Sequence, residues 1–369
     1  MKIAVVGCGV VGAAIAYELS QIPGLSVTVF ERDLPAKQST GAALGVLMGA
    51  ISQKRKGNNL QMRLFGVSRY ETWVPELENK TGRAIWFNRQ GILRLCFEGE
   101  DLETWRSLAV ARQQQGWQLE LCDRAFLAQH CPQLSLERVI GAVYSPNDRQ
   151  IDPTALTLAL VAAATQNGVD FQFETTVTGA NCQLEDCGQK RCDRIHTTHG
   201  SEEVDWLVIA AGLGSNPLTH NLQQPVDIRP VLGQAVRIQL PEPLGNADFQ
   251  PVITGEDVHL VPLGNHQYWV GATVEFPDAE QLSSIEPNPK LLDQVMQQAI
   301  AQCPAVAKAT IVDQWFGLRP RPEGRPAPII EPLPGFANVI LATGHYRNGV
   351  LLAPATAAKV RDAIALSST

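Results

Sequence analysis

Gly7-Cys8-Gly9-Val10-Val11-Gly12, followed by Glu31 nineteen residues after the last glycine, is the stretch that decides the first half of the fold. Lys2-Ile3-Ala4-Val5-Val6 before it is an apolar run of strand length, and Val11 to Leu19 reads as a helix with small residues, Ala13, Ala14 and Ala16, on one face. Ser26 to Phe30 reads as a second strand that ends on Glu31. Strand, glycine turn, helix, strand and acid in that order are the context a dinucleotide fingerprint requires. The free N–H groups and dipole of the helix N-terminus suit a diphosphate. A carboxylate at Glu31 can accept from both ribose hydroxyls and repels a 2′-phosphate.

At 369 residues the chain suggests two domains. With 45% hydrophobic and 18% charged residues it has ordinary globular composition. The net charge is −7 and the strongest basic cluster is Lys54-Arg55-Lys56, so no nucleic-acid partner is expected. No apolar stretch approaches the ~18 residues of a spanning helix, and no membrane span is expected. The Lys2-led apolar start is explained by the glycine motif rather than by a secretion signal, so the expected location is cytoplasmic. The oligomeric state is left open, a homo-oligomer included. Eight cysteines are too few for a disulfide scaffold. Cys182, Cys187 and Cys192 precede His196 and His199, but no CxxC occurs, so no metal is expected. That segment reads as a hairpin, Thr176 to Leu184 and Arg191 to Thr198, carrying reduced surface thiols.

Gln38 to Leu47 is rich in Gly, Ala and hydroxyls, which suits backbone lying against a flat ligand. A helix is expected from Asn58 to Leu77, and a hairpin from Ala84 to Phe97 about Asn88-Arg89-Gln90-Gly91. Further expectations are a helix over Asp101 to Gly116 and one capped by Asp152-Pro153, then strands at Val169 to Val177 and Val204 to Ala211. Gln234 to Leu240, Val258 to Val261 and Tyr268 to Thr273 alternate as in an antiparallel sheet. Val339 to Gly344 is one more buried strand, with a helix expected over Ala355 to Ala365. The fold class is therefore α/β with antiparallel β, a Rossmann-like domain interleaved with a mixed or antiparallel-sheet substrate domain. Residues 1–80, 145–230 and 317–369 are assigned to the first, 81–144 and 231–316 to the second.

No second GxGxxG occurs, so electrons are expected from an organic substrate rather than a second dinucleotide. Gly344-His345-Tyr346-Arg347-Asn348-Gly349 is a strand-to-helix turn whose N–H donors could face the pyrimidine edge of a flavin. Gly317-Leu318-Arg319-Pro320 sets one arginine beside an apolar strand, where its guanidinium could clamp a carboxylate.

Together these motifs resemble the FAD-dependent amine and amino-acid oxidases of the D-amino acid oxidase group, and within it the glycine oxidases of thiamine biosynthesis. The resemblance spans the chain and implies a FAD domain and a substrate domain with the flavin between them. The cofactor contacts it implies are Gly7, Gly9, Val10, Val11, Gly12, Glu31 and Arg32. Next come Ser39, Thr40, Ala42, Ala43, Gly45, Val46 and Leu47, then Val177, Ala211 and Gly212. The last are Gly344, Tyr346, Arg347, Asn348, Gly349, Val350 and Leu351. Arg319, helped by Arg347, is the implied carboxylate clamp, with His259 and Tyr346 lining the pocket. His259 stands where glycine oxidases tend to carry a tyrosine, and a histidine of ordinary pKa near 6.5 would make activity pH-dependent there. The Gly-Ala-Ala-Leu-Gly-Val loop also departs from the family's Ala-Ala-Gly-Met.

The implied reaction is oxidation of a small amino acid or amine, such as glycine, sarcosine or a short D-amino acid. Hydride passes to flavin N5, the imine is hydrolysed to oxo acid and ammonia, and oxygen as acceptor yields hydrogen peroxide. Two alternatives remain: a dehydrogenase serving a quinone or carrier protein, and a flavin-binding tRNA-modification or assembly component. Non-covalent FAD is expected, because the last cysteine is Cys303 and the first histidine His130, away from the usual tethering positions.

Overall fold

Strand β1 (Lys2–Val6) ends on Gly7, whose φ of +104° turns the chain sharply toward helix α1 (Val10–Leu19). A side chain at Gly7 would meet the Ala210 carbonyl oxygen at 2.6 Å, and one at Gly12 the Gly7 carbonyl oxygen at 1.9 Å. These two glycines set how closely α1 lies on its sheet, with Ala13, Ala14 and Ala16 fully buried in the contact. The computed structural model describes residues 1–186, 188–277 and 285–366.

The first sheet joins β1 to β2 (Ser26–Phe30), β9 (Asp170–Gln172), β13 (Trp206–Ile209), β19 (Ile329–Pro332) and β20 (Val339–Thr343). Its order is β19-β20-β13-β1-β2-β9, parallel throughout except for the antiparallel edge β19. With α1, helices α2 (Asn58–Thr81), α5 (Pro153–Gln166) and α8 (Gly349–Leu366) build a core around Tyr70, Trp73, Leu156, Leu160, Leu352 and Val360. A three-stranded meander, β10 (Val177–Leu184), β11 (Lys190–Thr197) and β12 (Gly200–Glu203), contributes with α6 (Ser215–Asn221) to a further core that includes Ala4, Val6, Ile195 and Leu218.

The second sheet holds β5 (Ile92–Phe97), β6 (Glu120–Cys122), β7 (Val139–Ser145), β14 (Ile228–Gln239), β15 (Val252–Gly255), β16 (Val258–Gly264), β17 (Gln267–Gly271) and β18 (Thr310–Pro322). Its order is β18-β14-β17-β16-β15-β5-β7-β6, antiparallel except between β15 and β5. Leu127 of α4 (Arg124–His130) and Leu292 and Val295 of α7 (Pro289–Gln302) pack with strand residues such as Leu93, Ile238 and Val270. Trp105 and Leu108 of α3 (Leu102–Gln114) pack with Val143 and Val261. Short strands β3 (Val46–Leu47), β4 (Phe87–Asn88) and β8 (Arg149–Ile151) form a small sheet, ordered β3-β8-β4.

Four expectations are corrected. The turn at 88–91 exists, with the Asn88 side chain accepting from the Gln90 N–H, but its flanks do not pair. β4 joins β8 while β5 joins β7 and β15, because Phe87 and Ile92 belong to different cores. The strand expected to reach Val177 stops at Gln172; Glu174 has a φ of +55° and the chain turns there. The last helix begins at Gly349, not Ala355. Pro354 lies inside it and cannot donate to the Val350 carbonyl four residues back. The Tyr70 hydroxyl donates to that carbonyl instead, at 2.5 Å, which ties α2 to α8.

The fourth correction concerns the cysteines. The expected hairpin forms, but Cys182 and Cys192 face each other across it as a disulfide, and Cys192 is fully buried. They are not reduced surface thiols; Cys187 lies outside the described residues. Among the described residues no group of His, Cys, Asp and Glu could hold a metal, and no helix is long and apolar enough to cross a membrane.

Candidate active site

A cavity of about 860 Å³ runs from the Gly7 turn past the N-terminus of α8 to one face of the second sheet. At its first end Glu31 closes β2. Its carboxylate accepts from the Cys8 N–H at 2.7 Å and the Asp33 N–H at 3.1 Å, so it braces the glycine turn while lining the cavity. The Thr40 hydroxyl accepts from the Val10 N–H at 3.0 Å, leaving later first-turn donors of α1 such as Val11 without an intrahelical partner. Gly9 faces the opening, and a side chain there would touch Thr40 Oγ1 at 3.0 Å. Arg32, Val177, Ala211 and Gly212 complete this wall.

The 38–47 loop forms the middle. Ser39 Oγ donates to the Leu318 carbonyl at 2.6 Å, and Trp315 Nε1 donates to the Ala42 carbonyl at 3.2 Å. Ala42 and Leu44 descend on Gly317 and Gly271 of the second sheet, where added side chains would come within 2.3 Å and 3.3 Å of them. Ser39, Thr40, Ala42, Ala43, Gly45 and Val46 line the cavity; Leu47 is fully buried in the core behind it. Gly12 also stays behind the wall, acting through close packing.

At the far end, β20 leads into Gly344 (φ +65°), His345 and Tyr346, whose φ of +52° is a strained value for a residue with a side chain. Asn348 precedes α8, and Gly349, Val350 and Leu351 bring its first turn to the cavity. His345, absent from the expected set, lies buried beneath. Thr356 Oγ1 donates to the Leu352 carbonyl, so its 2.9 Å contact with His345 Nε2 is best satisfied by a proton on that nitrogen. Burial lowers the His345 pKa to about 4.

The second sheet supplies the side chains. Arg319 on β18 lies across Gly233 of β14: a side chain at Gly233 would stand 2.2 Å from Arg319 Nη2. Arg319 Nη1 donates to the Leu232 and Thr273 carbonyls at 3.2 and 3.0 Å, and no other hydrogen bond holds the group among the described residues. Burial and then the Arg347 charge lower its pKa to about 10, so it stays cationic at neutral pH. Three strands away, His259 on β16 lines the same cavity, its buried Nδ1 without a hydrogen-bond partner among the described residues. Its pKa falls to about 4, from burial first and the Arg347 charge second. This corrects the expectation of a histidine titrating near 6.5.

Arg347 is 41% exposed and sits 3.7 Å from Asp257, so it borders the cavity as one half of an ion pair. Arg63, Arg94, Glu100, Thr254, Asp257 and Gly233 also line the cavity and were not among the expected site residues. Two of them carried a signal. Gly233 interrupts an apolar strand sequence, which marks close approach of another group. Asn59 and Arg63 form a polar i,i+4 pair beside an apolar helical stripe.

The glycine cradle, the braced acid at Glu31 and the two pocket-facing helix N-termini fit a flavin adenine dinucleotide. Similarity to known proteins agrees. The family described as FAD dependent oxidoreductase, DAO, matches residues 2–363. The bifunctional protein ThiO/ThiG of Trichormus variabilis is 32% identical over 366 residues, covering 98% of this chain and 52% of that relative. The chain thus spans about half the length of the bifunctional relatives it matches. The glycine oxidase of Geobacillus kaustophilus is 27% identical over 375 residues, covering 100% of this chain and 93% of the relative. The crystal structure of glycine oxidase from that organism superposes with a TM-score of 0.86 at 26% identity, covering 99% of this chain and 94% of the other. The chain belongs to the DAO family of FAD-dependent oxidoreductases.

Proposed function

We propose that this protein oxidises glycine, sarcosine or a short D-amino acid, with Arg319 as the carboxylate clamp. The observation that carries this is Arg319 itself: a partly buried guanidinium laid over Gly233, anchored through one nitrogen, with no carboxylate oxygen within 4.0 Å among the described residues. A partly buried cation with no carboxylate in contact, Glu275 acting on its charge only from beyond 4.0 Å, favours an anionic ligand. The two-pronged fork then orients the substrate, and orientation is the larger share of what the chain contributes. His259 stays neutral through the physiological range, so its ring can exchange a hydrogen bond with the substrate without adding charge. Ala42 and Leu44, seated on Gly317 and Gly271, limit the space beside Arg319 and favour a small substrate.

Bound FAD supplies the two-electron acceptor. The substrate amine becomes an imine, water converts it to an oxo acid and ammonia (methylamine from sarcosine), and molecular oxygen is reduced to hydrogen peroxide. No protein base is assigned, since an amine bound neutral needs none. The division into an FAD-binding part (1–80, 145–230, 317–369) and a substrate-binding part (81–144, 231–316), non-covalent FAD and a cytoplasmic location belong to the same proposal. Anaerobic addition of glycine, sarcosine or D-alanine should bleach the flavin absorbance, and aerobic turnover should release one peroxide per substrate consumed. Bleaching without peroxide would move the assignment to a dehydrogenase; no bleaching by any amino acid would overturn it.

A further inference from the structure

Apart from Arg32 and Lys37, which follow Glu31 at the Gly7 end, the basic side chains on the cavity wall fall into two groups. Arg94 is paired with Glu100 at 2.8 Å and Arg347 with Asp257 at 3.7 Å. Arg319 and Arg63 have no carboxylate oxygen within 4.0 Å among the described residues. The proposed substrate accounts for Arg319 and leaves Arg63 without a role.

Arg63 projects from α2. Its Nε donates to Asn59 Oδ1 at 3.0 Å, Nη1 to the Met48 carbonyl at 3.0 Å, and Nη2 to Asn348 Oδ1 at 2.8 Å. Asn348 immediately precedes α8, so the guanidinium is tied to the N-terminal end of an 18-residue helix. Asp148, the acid whose field it feels, is committed elsewhere. One Asp148 oxygen accepts from the Gly49 and Ala50 N–H groups and the other from Ile51, each at 2.8 Å. Of the five guanidinium donors three are used, which leaves two in the cavity wall. A cation beside the positive end of a helix dipole adds two unfavourable potentials; the field of Asp148 offsets part of this, and an anion shared between them would offset the rest.

We propose that Arg63, together with the first-turn N–H groups of α8, is the counter-charge for the negative charge that reduction places on the bound flavin. This rests on the flavin ring lying at the α8 end of the cavity, as the proposed function requires. Departure of a hydride from a neutral amine leaves an iminium on the substrate and one negative charge on the cofactor. A fixed cation there binds the reduced cofactor more tightly than the oxidised one.

The test is to titrate the apoprotein with FAD in oxidised and reduced form, and to measure the midpoint potential, for wild type, Arg63→Met and Arg63→Lys. Arg63→Met should lose at least ~10-fold more affinity for reduced than for oxidised FAD, a fall of about 30 mV for a two-electron couple. Arg63→Lys, which keeps the charge but not the fork, should restore most of the potential. Should Arg63→Met fail to fold, Arg63→Gln, which keeps a donor for Asn348 without the charge, is read in the same way. Equal weakening of both forms would overturn the proposal and leave Arg63 as a brace for Asn348 and the Met48 loop. No change in either affinity would also overturn it, and would show instead that the flavin ring lies elsewhere.

Discussion

The two ends of the cavity favour negative charge by opposite means. At the Gly7 end the donors belong to the backbone: the first turn of α1, packed so closely that Gly12 has no room for a side chain. At the α8 end the charge comes from side chains at positions 63, 319 and 347, brought from α2, β18 and the turn before α8. One end is built by leaving atoms out and the other by putting them in. Adding a methyl group should therefore break the first, and deleting a side chain the second.

Gly12→Ala should have the largest effect. Its Cβ would stand 1.9 Å from the Gly7 carbonyl oxygen, and backbone cannot swing aside. Moving α1 off the strand should cost about 3 kcal/mol. The variant should purify colourless; a yellow variant with unchanged FAD affinity would mean α1 does not need this contact. Glu31→Ala should come next. It removes the acceptor for the Cys8 N–H together with the proposed ribose contacts, charged hydrogen bonds worth about 1.5–3 kcal/mol each. Isothermal titration should show weaker FAD binding with substrate KM unaltered in the FAD-saturated enzyme.

Arg347→Ala should matter much less than its place in the motif suggests. Its partner Asp257 is 82% exposed, and such a pair contributes at most about 1 kcal/mol. A loss of kcat/KM for glycine as large as that of Arg319→Ala would make Arg347 a clamp after all.

pH should act on stability rather than on turnover. His259 and His345 are held to about 4, below the ordinary 6.5, so the folded protein binds fewer protons than the unfolded chain between these values. Their contribution to stability is fully present above pH ~6.5 and is lost as pH falls toward 4. Tm should decline over that window and less so in His345→Gln, while His259 should add no step to the kcat profile between pH 6 and 8. A kcat step that disappears in His259→Gln would show that His259 titrates in the working range.

The contrast also explains what could be read in advance. The nucleotide end is local: thirty-one residues contain both strands, the turn, the helix and the acid, so spacing alone exposes it. The substrate end depends on register. Arg319 matters because β18 aligns Gly317 with Gly233 and lets the guanidinium lie across the neighbouring strand. Nothing near residue 319 in the chain announces residue 233. Arg63 was missed because a polar residue on an amphipathic helix is ordinarily a solvated one. The last helix is expected only from Ala355 because a proline ordinarily stands outside a helix interior, and Tyr70, more than two hundred residues away in sequence, supplies the donor that makes Pro354 tolerable inside it. The pKa of His259 could not be read either, since burial and the Arg347 charge come from the fold.

The most direct measurement compares Arg319→Ala and Arg319→Lys with wild type on glycine and on a small amine lacking the carboxylate, by anaerobic stopped-flow reduction of the flavin. With a carboxylate clamp at Arg319, the alanine variant should lose about 2–5 kcal/mol in kcat/KM for glycine, the lysine variant should regain part of it, and the simple amine should be nearly unaffected. Equal losses on both substrates would contradict the clamp and make Arg319 a support for the fold or the flavin.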